Sequence, residues 1–215
     1  MGSRPRITWY YDFISPFAYL QSARLGRLAE IAEIDCVPLL FAGLLDHWGQ
    51  KGPAEVAPKK VFAFRQCVWR ARRDGIAFRL PPMHPFNPLR ALRLAISLNN
   101  ELEAVQAIFR AIWVDGHLPD DDAGWAALQA AVGIDDGDAR VADPAVKARL
   151  AENGAAATKA GVFGVPTIAI AGELFWGDDA LEMAQAFLAD PTIFDDEDMK
   201  RIETLAPSAE RRQKK

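Results

Sequence analysis

With 215 residues, half of them hydrophobic, the chain is long enough to bury a complete core and need be no more than one domain with an elaboration. A formal net charge of −4 argues against nucleic acid as the natural partner, because phosphate binding needs a basic excess or patch. The two cysteines, Cys36 and Cys67, form neither a Cys-x-x-Cys pair nor a Cys/His cluster, so they read as buried small hydrophobes and no metal is expected.

Ile7 to Phe13 is a β-branched and aromatic run of strand length. Before Ile7 there is no apolar leader, and no apolar run reaches about 18 residues, so no membrane contact and a reducing cytoplasmic setting are expected. Arg6 stands where a myristoylation motif needs Ser or Thr. Ser15 is a natural N-cap with Pro16 at the first helical position, and Leu20, Leu28 and Ile31 continue a helix of roughly 17 residues. Asp35 to Phe41 reads as a second strand, giving a βαβ opening with parallel strands.

From Gly43 to about Gly161 only helical spacing and breaks follow. Pro58 to Asp74 reads as a helix ended by Gly75, with its basic residues on a solvated face. Leu80 to Pro88 holds four prolines and must be an extended loop or turn. Further helices are expected from Leu89, from Leu102, over Gly124–Val132, over Pro144–Glu152 and over Ala155–Ala160, with Gly133 to Asp138 as a loop. The chain then returns to sheet at Thr167–Ala171, turns at Gly172-Glu173 and pairs back at Leu174–Trp176. Asp178 or Asp179 is expected to cap a last helix, and everything after Pro191 to be an arm or tail. The layout is an α/β sheet domain, residues 1–42 and 155–190, interrupted by an inserted helical domain, residues 43–154, and followed by a tail, 191–215.

The strand-to-helix junction at Ser15 is where chemistry is expected. A helix N-terminus favours an anion, and a hydroxyl there can hydrogen-bond to a thiolate. Moving a thiol from a pKa of about 8.5 to about 6.5 takes roughly 2.7 kcal/mol of preference for the charged form. One hydrogen bond to a charged group gives about 1.5–3 kcal/mol and a helix terminus about 0.3–1, so no metal is needed. Taken alone, such a serine is also a commonplace cap.

Ser15-Pro16, followed by Gly164-Val165-Pro166-Thr167 and then by Phe175-Trp176-Gly177-Asp178-Asp179, resembles the DsbA-like branch of the thioredoxin superfamily. Within it the chain is similar to glutathione-dependent 2-hydroxychromene-2-carboxylate isomerases and kappa-class glutathione transferases, over roughly Ile7 to Ala189. The resemblance implies a thioredoxin-like fold with an inserted all-helical domain. Ser15-Pro16-Phe17-Ala18 occupies the place of the Cys-x-x-Cys of disulfide oxidoreductases, and without either cysteine dithiol redox catalysis is excluded.

Position by position, the resemblance makes Ser15 the group that holds the glutathione sulfur as thiolate. Val165 would pair its backbone with the cysteinyl unit of the cofactor, before the cis-proline Pro166. Asp178 and Asp179 would take the γ-glutamyl end, and Gln50 and Lys59 the glycyl end. Gln50 stands where relatives carry Asn, and Ala180 where the last helix often has Arg after its Asp. The implied reaction is reversible thiolate addition to a conjugated keto acid, converting 2-hydroxychromene-2-carboxylate to trans-o-hydroxybenzylidenepyruvate in aromatic catabolism. Phe13, Tyr19, Trp48, His84 and Asn87 are the candidates for contact with that aromatic keto acid, and a homodimer is implied. A kappa-type transferase that consumes glutathione and a non-catalytic member that binds glutathione or a peptide are the alternatives.

Overall fold

The computed structural model describes residues 4–202 and 204–209. In β1 (Arg6–Tyr11) every second residue is buried, which puts Ile7, Trp9 and Tyr11 on one face of the sheet. Trp9 and Tyr11 stack with ring centroids 4.6 Å apart, and both meet Phe109. The strand stops short of the expected Phe13 because Asp12 starts a turn: its carboxylate accepts the Ile14 N–H and its carbonyl accepts the Ser15 N–H.

The expected long first helix is two short ones, α1 (Pro16–Ser22) and α2 (Gly26–Ile31). Between them Arg24 and Leu25 donate to carbonyls three residues back, and the Ser22 hydroxyl bonds back to Tyr19, which ends the regular ladder. β2 (Glu33–Pro38) lies earlier than expected, since Phe41 already opens α3 (Phe41–Trp48), a helix the sequence spacing did not reveal, with its N–H held by Asp12. α4 (Ala57–Asp74) ends at Gly75, whose φ of +67° suits glycine, as the spacing predicts.

The remaining helices are α5 (Leu89–Ser97), α6 (Leu102–Trp113), α7 (Asp122–Ala131), α8 (Gly137–Ala142) and α9 (Pro144–Lys159). α8 starts inside the expected loop. It docks because Gly137, where any Cβ would collide with Gln129 and Trp125, donates its N–H to the Gln129 side chain. α9 is continuous and absorbs two expected helices; its Asn153 amide bonds the Pro38 carbonyl at the end of β2.

β3 (Thr167–Ile170) and β4 (Glu173–Trp176) complete a four-stranded sheet of order β2-β1-β3-β4, with β1 parallel to β2 and the other pairings antiparallel. The hairpin turns at Ala171-Gly172, one residue before the expected pair. Both have positive φ, 52° and 98°, the twist that matches flanking strands. α10 (Leu181–Ala189) follows a 3-10 turn over Asp178–Ala180.

Pro191 does not begin a free tail. A 3-10 turn over Pro191–Phe194 brings Phe194 to within 5.3 Å of Phe187, centroid to centroid, and α11 (Glu197–Ile202) follows. Residues 203 and 210–215 of the expected tail lie outside the described residues. Both expected borders of the insertion, 42/43 and 154/155, fall inside helices, α3 and α9. No described helix is long and apolar enough to cross a membrane.

Candidate active site

Ser15 is the N-cap of α1: its Oγ accepts the Ala18 N–H at 3.2 Å and donates to the Val165 carbonyl at 3.4 Å, across 150 positions of sequence. The cap bond fixes the oxygen. The donated bond is long, so its proton can be re-aimed at an anion at little cost. Val165 precedes Pro166 through a cis peptide, and among the described residues its N–H makes no hydrogen bond. The junction therefore holds one hydroxyl whose bond is long and one backbone N–H without a partner. At seven residues α1 is too short to add much dipole, so an anion placed at this junction would rest mostly on these two donors.

The rim of this junction is aromatic. Phe163 and Trp176 pack at 5.1 Å on either side of the proline turn and are both exposed. Gly164 lies between them, where an added Cβ would strike the Trp176 indole. Trp48, partly exposed, donates its indole N–H to the Val162 carbonyl at 2.9 Å and so ties α3 to the same loop.

His84 sits in the proline-rich loop, after which the His84–Pro85 peptide is cis. Its Nε2 lies 2.9 Å from the Ile14 carbonyl, directly before Ser15, and its ring packs edge-on to Phe64 and Phe86. Burial holds its pKa below the ordinary imidazole value, with the Lys60 ammonium acting the same way. A neutral ring facing a carbonyl must carry its proton on Nε2, and Nδ1 is then a buried acceptor with no partner. Lys60 donates to the His84 carbonyl at 2.7 Å, whereas Lys59 is exposed and makes no ion pair among the described residues. Gln50 is also exposed, in the loop that the Gly52–Glu55 hydrogen bond closes.

Three expected substrate contacts lie elsewhere. Phe13 is fully buried, packed on Phe109 and Tyr11, because it shares the inward face of the β1 residues. Tyr19 is 4% exposed and spends its hydroxyl on the Ala77 carbonyl. Asn87 closes a turn: its Oδ1 accepts the Leu89 N–H at 3.0 Å, and its own N–H goes to Asp120.

Asp178 does not cap a helix either. It is 1% exposed, and its carboxylate is taken by two guanidiniums, Arg24 from the α1–α2 turn and Arg70 from α4, the latter at 2.8 Å. Asp179 points outward, 73% exposed, with Arg70 at 3.4 Å. Arg70 also lies over the Phe17 ring, 5.9 Å from its centroid. Its side chain is 13% exposed, so the solvated face expected for α4 does not extend to it. Arg70 thus places a cation at the Asp178-Asp179 turn that leads into α10.

A family model described as a DSBA-like thioredoxin domain matches residues 6–189. The chain belongs to this family. Among curated relatives, a 2-hydroxychromene-2-carboxylate isomerase of Sphingobium xenophagum is 30% identical over 198 residues, covering 86% of this chain and 98% of that protein. Glutathione S-transferase kappa 1 of Rattus norvegicus is 25% identical over 218 residues, 88% of this chain and 94% of its own length. Among solved structures, a 2-hydroxychromene-2-carboxylate isomerase superposes with a TM-score of 0.75 at 24% identity, covering 93% of this chain and 98% of that one.

For a DSBA-like chain the position of its thiols is telling. Cys36 and Cys67 are free and buried, and burial pushes both up to about 12, with the Asp35 and Asp178 charges adding respectively. Neither is a thiolate at neutral pH.

Asp12 is a residue that sequence reading missed. It is fully buried, and its carboxylate accepts the N–H of Ile14 at 3.1 Å and of Phe41 at 2.8 Å, joining the Ser15 turn to the start of α3. Burial raises its pKa to about 7, against the opposing pull of those N–H groups. A raised carboxylate pKa means that its stabilising contribution is complete below the unfolded value of about 3.9 and is lost as pH climbs through 7. Urea unfolding of wild type and Asp12→Asn between these limits is expected to show the wild type losing stability relative to the variant as pH rises. Parallel curves would contradict the assignment.

Proposed function

We propose that the protein is a glutathione-dependent isomerase acting on a conjugated aromatic keto acid, of the 2-hydroxychromene-2-carboxylate type. The observation that carries this reading is the contact of the Ser15 hydroxyl with the Val165 backbone, whose N–H is unpaired among the described residues, at a turn of sequence Ser15-Pro16-Phe17-Ala18 that holds no cysteine. Two such donors suit an incoming thiol and its backbone, and the isomerase and kappa-transferase relatives support glutathione as its source.

When bound, glutathione would supply a thiolate that adds reversibly to the substrate double bond and is regenerated. Ser15 turns its proton from Val165 toward the sulfur and lowers the thiol pKa. Val165 and Pro166 offer main-chain groups to the cysteinyl unit. Asp179 receives the γ-glutamyl ammonium, while Arg70, between Asp178 and Asp179, faces the adjoining carboxylate; Asp178 holds the turn. Gln50 and Lys59 reach the glycyl end. Trp48 and His84 border the substrate side, where His84 positions the Ile14–Ser15 backbone. Exposed apolar residues Phe62 and Trp69 on α4 support a homodimer.

A thermal-shift titration with reduced glutathione tests the cofactor. The melting temperature is expected to rise saturably, and Lys59→Ala to need about tenfold more glutathione for the same rise, the worth of one charge-assisted contact. No shift at millimolar glutathione would remove the cofactor and the mechanism together.

A further inference from the structure

A cavity of about 450 Å³ lies between α3, α5 and α9, lined by none of the residues placed at the Ser15 junction and within the size range of small-molecule sites. Leu40 and Leu44 form one apolar wall, and Leu150 and Ala151 the other. Its polar groups are nearly all basic: Arg93 from α5, Lys147 from α9 and the ring of His47 from α3. No acid lines it, and among the described residues neither Arg93 nor Lys147 has a carboxylate within ion-pair distance. The Arg93 Nε is buried with no hydrogen-bond partner. A buried guanidinium N–H without an acceptor is costly, and an anion entering the cavity would satisfy it.

The larger cleft, about 1180 Å³ beside α1, differs in that Glu30, Asp74 and Glu182 line it together with its four arginines. Of these arginines, Arg24 and Arg73 are paired with Asp178 and Asp74. Gly43 and Gly154 line the smaller cavity at helical positions where an added Cβ would meet nothing within 4 Å.

We propose that this cavity binds a small organic monoanion with an apolar body, its carboxylate on Arg93 and Lys147 and its hydrocarbon between α3 and α9. The site is separate from the Ser15 junction and does not depend on glutathione chemistry.

Calorimetric titration with octanoate and with uncharged 1-octanol tests it, on the wild type, Arg93→Met and Gly154→Leu. Octanoate is expected to bind at one equivalent, with octanol and the Arg93→Met variant each at least about tenfold weaker, the worth of a charge-assisted hydrogen bond. Gly154→Leu fills the cavity from an unobstructed helical position, so it should keep the melting temperature and abolish octanoate binding. Equal binding of octanoate and octanol, unchanged octanoate binding in Gly154→Leu, or no saturable heat with the wild type would overturn the proposal.

Discussion

In Ser15→Ala, kcat/KM for the chromene carboxylate at neutral pH is expected to fall about 10- to 150-fold, the equivalent of one hydrogen bond to a charged sulfur. The acid limb of the pH–rate profile should move upward by about 1–2 units, because the thiolate then forms only at higher pH. A folding defect would not imitate that shift. The variant loses only the cap on the Ala18 N–H, worth about 0.5–2 kcal/mol, and a long bond to Val165. A fall in rate with an unmoved profile would mean that Ser15 shapes α1 but leaves the sulfur alone.

The largest stability effect is expected at Asp178. Its carboxylate, 1% exposed, separates two guanidiniums from different parts of the chain, with side chains 26% exposed at Arg24 and 13% at Arg70. In Asp178→Asn both cations remain and the compensating charge is gone, a loss of about 3–5 kcal/mol for a fully buried pair. Because the two arginines keep some contact with water, the lower figure applies, and the melting temperature should drop by about 6–12 °C. Arg70→Met leaves Asp178 paired with Arg24 and should cost less. Scanning calorimetry of the two variants checks the order, and a larger loss in Arg70→Met would show that the turn depends on Arg70 more than on the buried charge.

The parts of this molecule legible in the sequence are those set by neighbouring residues. Ser15-Pro16 announces a cap, Gly75 a helix end, and Thr167–Trp176 a hairpin, since each rests on chemistry within a few positions. The Asp178 cluster could not be read that way, because Arg70 and Arg24 come from 108 and 154 positions away. Likewise, α3 begins where it does because a carboxylate 29 residues earlier holds its first N–H. Phe13 and Tyr19 mislead for a related reason. Lying close to Ser15 in sequence, they look like pocket residues, but the two-residue period of β1 carries Phe13 inward and Ala77 claims the Tyr19 hydroxyl. The Phe163–Trp176 rim had a local signal, a glycine-flanked aromatic on each side of Pro166, yet only the hairpin register brings the two rings together.

A turnover count separates isomerisation from conjugation. The protein is given chromene carboxylate in large excess over reduced glutathione, and product absorbance and free thiol are followed in the same sample. Recycling of the thiolate predicts many products per glutathione with the thiol titre unchanged. Product that stops at one equivalent as the thiol disappears would identify a conjugating transferase and contradict the isomerase account.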